Sequence, residues 1–183
     1  MDFEATKIEG AHVIRQQRHQ DERGYFARTF CYEEFSDQGL DCNFVQSSVS
    51  YNEHAHTLRG LHLQLPPFAE NKLIRCIRGA VYDVMLDLRA DSETYLHWVA
   101  TKLSPDNACM VYIPHGVAHG FQTLEAGSEL SYHITEFFSP EHATGVRWDD
   151  PAFKIDWPTV DSRVMSDKDQ SWPDYDPKHG LSL

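Results

Sequence analysis

The sequence predicts an all-β protein, a sandwich or barrel of antiparallel strands with a jelly roll as one candidate. Short segments rich in β-formers recur at roughly 8–12-residue spacing, and proline and glycine separate them. Two of these segments, residues 74–88 and 129–138, alternate in a period of two, as strands do. The chain has 183 residues, about the length of one domain, so we expect a single domain over residues 1–183.

The individual elements follow from local composition. Residues 74–88 form two predicted strands around Arg78 and Gly79, and residues 95–103 are rich in β-formers. Strands are also predicted at 110–114 and 120–124, on either side of a turn at 114–116, and at 129–138. Two stretches look helical: residues 32–38, which Gly39 closes, and a weaker one at 166–171.

Charge and cysteine content exclude several classes of function. The chain carries 16 Lys and Arg against 28 Asp and Glu, a formal net charge of −12, which disfavours binding to nucleic acid or to an anionic membrane. No apolar run is long enough to span a bilayer, and residues 1–7 lack the features of a secretory signal. The four cysteines form no C-x-x-C pair, so we expect free thiols and a cytoplasmic protein.

Polar residues concentrate in four segments, at 57–64, 72–78, 114–121 and 166–169, with Tyr132 inside a predicted strand. Regular strand alternation would put Arg59 and Leu61 on one face and His62 and Gln64 on the other. Each residue alone also has a structural interpretation. A histidine can be an interior residue, an arginine a solvated charge, Tyr132 a barrel-filling aromatic, and Asp169 a helix cap.

One spacing indicates a particular barrel. Pro114, Gly116 and His119 resemble the second motif of a cupin barrel, whose first motif usually carries H-x-H and a later Glu that bind a metal. Here the first motif reads His62-x-Gln64, and Glu70 follows. A metal-dependent cupin that uses His62, Gln64, Glu70 and His119 therefore stays an alternative, although Gln is a poor substitute for a histidine ligand.

A longer series of segments resembles the dTDP-4-dehydrorhamnose 3,5-epimerase family, a metal-free branch of the cupins. The most specific are Leu-Arg-Gly-Leu-His-Leu-Gln at 58–64 and Ile-Pro-His-Gly-Val-Ala-His-Gly-Phe at 113–121; the others lie at 23–26, 71–75, 79–84, 140–142, 147–151 and 156–158. Their order matches the family from about residue 21 to residue 169. The resemblance implies a cupin-type jelly-roll barrel with short peripheral helices, which needs no cofactor and forms a homodimer.

The resemblance also implies a reaction, inversion at C3, C5 or both of a nucleotide-diphospho-4-keto-6-deoxy sugar by proton removal and return. It makes His62 the base, Asp169 the carboxylate that orients it, Lys72 the enolate stabiliser and Tyr132 the acid on the opposite face. An imidazole with a pKa near ~6.5 suits proton abstraction, and a phenol with a pKa near ~10 keeps its proton at neutral pH. A sugar-nucleotide binding module without catalysis is a further alternative, but it would need neither base nor acid.

The same resemblance assigns the substrate-binding residues. Arg23 and Arg59 would grip the diphosphate, since guanidinium groups bind it in a bidentate manner. Phe26 and Gln46 would line the nucleotide site, and His119 would lie beside Lys72.

The chain departs from the family pattern at three places. Arg28 stands where much of the family has a Glu that accepts the thymine N–H, and Arg only donates hydrogen bonds. The stretch 46–50, which includes the substrate-binding candidate Ser48, differs from the expected form, and Phe137 stands where Tyr is frequent. A CDP- or GDP-linked sugar therefore stays an alternative, as does an Arg28 that points elsewhere while dTDP still binds.

Overall fold

The computed structural model describes residues 1–179, so the predicted domain of 1–183 extends past the described part. Strands account for most of its regular structure: Asp2–Ala5 (β1), His12–Arg15 (β2), Arg18–Asp21 (β3), Gly24–Ala27 (β4), Gln46–Asn52 (β5), Leu58–Gln64 (β6), Lys72–Arg78 (β7), Val81–Asp87 (β8), Trp98–Leu103 (β9), Cys109–Ile113 (β10), Val117–Thr123 (β11), Ser128–Ile134 (β12) and Ala143–Gly145 (β13). The helices are Tyr32–Ser36 (α1), Asp167–Gln170 (α2) and a 3-10 turn at Pro177–His179. The predicted all-β class is therefore confirmed.

Two antiparallel sheets form the walls of the barrel. The first has six strands in the order β1-β2-β10-β7-β12-β5, and the second has five in the order β13-β6-β11-β8-β9. The β3–β4 hairpin forms a separate two-stranded sheet. Strands that are distant in sequence are neighbours in both sheets, as a jelly roll requires.

The strands predicted from alternation are present with altered ends. β7 and β8 cover the two runs predicted around Arg78 and Gly79. β9 begins only at Trp98, because the backbone N–H groups of Tyr95 and His97 are bonded in turns to Ser92 and Thr94. β12 ends at Ile134, and β11 begins earlier than predicted, at Val117. Both predicted helices are confirmed as α1 and α2.

Apolar side chains fill the space between the sheets and cover the outer face of each one. The interior contains Ile74 and Leu130 from the first sheet and Met85 and Phe121 from the second. On the outer face of the second sheet, Leu61 packs in a cluster with Phe153, Trp157 and their neighbours from the C-terminal third of the chain. Phe35 of α1 belongs to the cluster on the outer face of the first sheet. No helix among residues 1–179 has the length and apolarity to cross a membrane.

β6 and β11 approach each other most closely at two glycines. His119 pairs with His62 and Phe121 with Arg59, so three steps along β6 match two along β11. This bulge lies at Gly60, where a Cβ would stand 2.5 Å from the Gly120 Cα. A side chain at residue 60 therefore has no room, whichever way the neighbouring side chains move.

Gly60 and Gly24 allow a matched test of this contact, because both have a φ of +124° but a Cβ at Gly24 would meet nothing within 4 Å. Gly24→Ala should cost only the conformational strain, about 1–3 kcal/mol. Gly60→Ala should cost at least about 2 kcal/mol more, since the added methyl overlaps backbone. Urea unfolding of both variants measures the difference, and equal losses would contradict a steric role for Gly60.

Candidate active site

A cavity of about 390 Å³ opens at one end of the barrel. Both sheets and the α2 segment line it, and the residues in its wall are Gln46, Arg59, His62, Leu63, Gln64, Glu70, Lys72, Ile134, Glu136, Phe138, Ala143, Thr144, Ser166, Lys168 and Asp169. Five of the residues predicted from the sequence are in this wall: Gln46, Arg59, His62, Lys72 and Asp169. The cavity thus combines a histidine, carboxylates and cations in one space.

The bulge in β6 decides which side chains reach this cavity. Regular alternation predicted Arg59 and His62 on opposite faces, and that prediction is wrong: both line the cavity, while Leu58 and Leu61 pack in the core behind β6. The extra residue at Gly60 interrupts the two-residue period, so a positive charge and an imidazole face the same space.

The His62 ring is held by a buried carboxylate. His62 Nε2 lies 2.6 Å from Asp169 Oδ1, and Asp169 Oδ2 accepts the Gly60 N–H at 3.4 Å. Asp169 is 4% exposed and lies in α2, whose N-cap Ser166 accepts the Asp169 N–H, so Ser166 rather than Asp169 caps this helix. The carboxylate therefore has a fixed position relative to the ring.

The charge of Asp169 fixes the tautomer of His62. Burial alone would raise the pKa of Asp169, but hydrogen bonds from His62 and the Gly60 N–H, with the neighbouring charge, outweigh it and lower that pKa. An ionised carboxylate only accepts hydrogen bonds, so the ring proton resides on Nε2. The lone pair of Nδ1 is then free to take a proton, and the carboxylate stabilises the imidazolium that results.

Lys72 is held so that it points into the same cavity. Its Nζ lies 2.8 Å from Glu70 Oε1 and donates to the His62 carbonyl at 3.2 Å. Glu70 is itself buried and accepts the Gln64 N–H at 3.1 Å. An ammonium has three N–H bonds, so one remains for a substrate oxygen.

Tyr132 lies on the opposite sheet from His62 and is not among the residues of the cavity wall. Tyr132 is in β12, where it pairs with Ile74 of β7 on one side and Ser48 of β5 on the other. It is on the same strand face as Ile134, which lines the cavity. Tyr132 is half-buried, and its ring meets the His119 ring edge to face at 6.0 Å. Burial, followed by the nearby charge of Asp83, raises the pKa of Tyr132 well above its ordinary value, so the phenol keeps its proton.

His119 forms a second histidine–carboxylate pair inside the barrel. Its Nε2 lies 2.8 Å from Asp83 Oδ2, both residues are buried, and Asp83 Oδ1 has no hydrogen-bond partner among residues 1–179. Burial raises the pKa of Asp83, and His119 opposes that shift. His119 lies opposite His62 in the sheet but is outside the cavity wall, and its described hydrogen bond is to Asp83, not to Lys72.

Three predicted binding residues lie on the β3–β4 hairpin and the residue that follows it, away from this cavity. Arg23 pairs with Asp21 at 2.5 Å, and Phe26 is 75% exposed. Arg28 donates to Glu34 Oε1 at 2.8 Å. The structure therefore does not bring Arg23, Phe26 or Arg28 to the cavity of their own chain. Ser48 is exposed on β5, on the same strand face as Gln46.

Other residues of the site had weaker signals in the sequence. Lys168 lines the cavity next to Asp169, and its only signal in the sequence is its place in the polar segment 166–169. Asp83 was visible as a charge inside an apolar strand, which is a pattern typical of a buried polar pair. Phe138, rather than Phe137, is the aromatic in the cavity wall.

The donor set of the metal-dependent alternative does not converge. His62 is bonded to Asp169, His119 to Asp83 and Glu70 to Lys72. Gln64 Oε1 accepts the Ser139 N–H at 2.6 Å. Among residues 1–179, no group of three or more His, Cys, Asp or Glu side chains has the arrangement of a metal site.

Comparison with known proteins gives one consistent result. The sequence profile of the family described as dTDP-4-dehydrorhamnose 3,5-epimerase matches residues 5–176. A dTDP-4-dehydrorhamnose 3,5-epimerase of Sinorhizobium fredii is 43% identical over 173 residues, which cover 94% of this chain and 89% of the relative.

Solved structures agree in both fold and sequence. The dTDP-4-dehydrorhamnose 3,5-epimerase of Bacillus anthracis, with TDP and PPi bound, superposes with a TM-score of 0.91 and 38% identity, covering 95% of this chain and 99% of that one. A 3'-monoepimerase of Streptomyces bikiniensis in complex with dTDP-quinovose gives a TM-score of 0.87 and 30% identity, covering 92% and 85%.

The jelly-roll fold and these relatives define the class of protein, a sugar-nucleotide epimerase, which is an isomerase. Within that class the chain belongs to the dTDP-4-dehydrorhamnose 3,5-epimerase family. Its function is epimerisation, at C3, C5 or both, of a nucleotide-linked 4-keto-6-deoxy sugar. The predicted fold and reaction are therefore confirmed, and the binding-module alternative is not supported.

Proposed function

We propose that His62 removes the proton next to the sugar's C4 carbonyl and that Tyr132 returns one from the opposite side. The observation that carries this proposal is the His62–Asp169 contact of 2.6 Å, which leaves Nδ1 as the basic nitrogen. The C–H bond breaks, its electron pair moves toward the carbonyl oxygen to form an enolate, and Nδ1 takes the proton. Such a division of labour needs two groups on opposite walls, and His62 and Tyr132 lie on opposite sheets.

Lys72 stabilises the enolate in this proposal. A fixed cation lowers the energy of the developing oxyanion most when it is already in place before the reaction. The contacts of Lys72 with Glu70 and the His62 carbonyl supply that fixed position. Arg59 and Lys168 add positive charge to the cavity wall, where the diphosphate would bind. His119, Gln46 and Ser48 remain proposed substrate contacts.

After one inversion, His62 carries the proton taken from carbon and Tyr132 has lost its own. Exchange with water restores both groups, so solvent hydrogen enters the sugar. Loss of the phenol should stop inversion while proton removal by His62 continues. This difference separates the two roles.

Tyr132→Phe should reduce inversion by about 10²–10⁴-fold, the range of a lost general acid, with a smaller effect on solvent deuterium uptake. Because the pKa of Tyr132 is raised, the wild-type phenol stays protonated as pH rises, and inversion should show no alkaline decline from Tyr132 below about pH 10. NMR of the sugar product in D₂O measures both rates. Equal loss of exchange and inversion, or an alkaline limb near pH 8 that Tyr132→Phe removes, would count against the acid role.

We also propose that residues 1–183 form a single domain and that the protein acts as a homodimer. Arg23 and Phe26 lie on an exposed hairpin outside the cavity of their own chain, so a second copy could bring them to a site. Exposed apolar side chains on this hairpin and on the edge strand β5 support a contact between copies: Tyr25, Phe26, Val49 and Tyr51. Sedimentation equilibrium would give the mass of one chain if this proposal is wrong.

The proposed location is the cytoplasm. The four cysteines, Cys31, Cys42, Cys76 and Cys109, are free thiols, as expected in a reducing compartment.

We propose dTDP as the nucleotide. Relatives with TDP or a dTDP-sugar bound support this choice. The Arg28–Glu34 ion pair also supports it, because it directs one Nη group of Arg28 to a carboxylate of the same chain.

Calorimetry with dTDP, CDP and GDP tests this assignment. The affinity for dTDP should exceed the other two by about tenfold or more, equivalent to about 1.4 kcal/mol. Arg28→Ala is the control variant and should leave the order of the three affinities unchanged. Tighter binding of CDP or GDP that Arg28→Ala abolishes would show that Arg28 reads a different base.

A further inference from the structure

Asn52 joins the two walls of the barrel beside the active-site cavity. It is the last residue of β5 in the first sheet, is 2% exposed, and accepts a hydrogen bond from Arg59 Nε at 2.8 Å. Arg59 belongs to β6 in the second sheet. A single buried amide therefore connects an edge strand to an arginine of the cavity wall.

The orientation of the Asn52 amide is determined by its partners. Arg59 Nε only donates, so the amide oxygen must face it. The Asn52 Nδ2 group donates to the carbonyls of Ser50 and Ser128, each at 3.2 Å, and lies 3.4 Å from Ser50 Oγ. With two carbonyls on one side and a guanidinium on the other, the reversed amide would leave acceptors facing acceptors and donors facing donors.

This contact leaves the useful end of Arg59 open. Nε is occupied, and neither Nη group has a hydrogen bond to another group within residues 1–179. Arg59 lines the cavity, so its two Nη groups are available to an anion there. A guanidinium that is fixed at Nε loses less rotational freedom when it binds a diphosphate, and binding is tighter for that reason.

We propose that Asn52 is a positioning residue for Arg59 and sets the affinity of the site for the diphosphate of the substrate. Asn52 itself touches no substrate and acts through the guanidinium. The proposal rests on the proposed role of Arg59 as a diphosphate ligand.

A double-mutant cycle with dTDP as the probe tests this role. Asn52→Leu, which is similar in shape but makes no hydrogen bond, should weaken dTDP binding about tenfold, as expected for losing a bond to a charged group. Asn52→Ser keeps a polar side chain that is too short to reach Arg59, and it should also weaken dTDP binding. In the Arg59→Lys background, Asn52→Leu should change the Kd for dTDP less than about twofold, because the partner is absent.

Two controls separate positioning from stability. Binding of thymidine, which has no phosphate, should be unchanged by Asn52→Leu. Thr123→Val removes a buried hydroxyl that bonds the His54 carbonyl at 2.9 Å, outside the cavity wall, and should lower the melting temperature without changing the Kd for dTDP.

The outcomes are distinguishable. If Asn52→Leu weakens dTDP binding equally in both backgrounds, or weakens thymidine binding as much, Asn52 acts through the fold and the proposal is overturned. If Arg59→Ala leaves dTDP binding unchanged, the proposed role of Arg59 as a diphosphate ligand is wrong, and the role of Asn52 is overturned with it. If Arg59→Ala weakens binding and neither Asn52 variant does, only the positioning role fails.

Discussion

The close passage of β6 and β11 at Gly60 and Gly120 is the constraint on which the active site depends. The backbone atoms are so near that no side chain fits between them, and the extra residue in β6 turns both Arg59 and His62 toward the cavity. The Gly60 N–H also donates to Asp169, so the same turn of backbone helps to hold the carboxylate that orients His62. One local irregularity thereby helps to position His62, which is the proposed base, its carboxylate partner Asp169 and the cavity-facing Arg59.

The barrel carries the proposed catalytic groups on its two sheets, as proton removal and return on opposite sides of a carbon would require. The second sheet carries His62 and Arg59, and the first carries Lys72 and Tyr132. Three of these groups are held by buried partners: His62 by Asp169, Lys72 by Glu70 and Arg59 by Asn52. Electrostatic preorganisation of this kind is effective because the polar groups need not rearrange as charge develops.

The sequence was informative where one physical signal dominated. Alternation predicted β7 and β8, since their inner faces are buried in the core between the sheets. Alternation alone put Arg59 and His62 on opposite faces, because a bulge requires knowledge of the neighbouring strand. The family resemblance led to His62, Asp169 and Lys72, which the fold brings together in the cavity wall, and to Tyr132, which lies on the opposite sheet from His62. Asn52 emerges only in three dimensions, since its partner Arg59 comes from another strand. For Asp83 the sequence indicates a buried charge, but its partner His119 is known only from the structure.

The most direct test of the account is solvent deuterium uptake by a 4-keto-6-deoxy sugar nucleotide with the His62→Asn variant. Asn cannot accept the carbon-bound proton at a basic nitrogen, so deuterium incorporation at C3 and C5 should fall to the uncatalysed rate while the folded state and dTDP binding persist. Incorporation at a rate near that of the wild-type protein would contradict the central claim that the Asp169-oriented imidazole is the base.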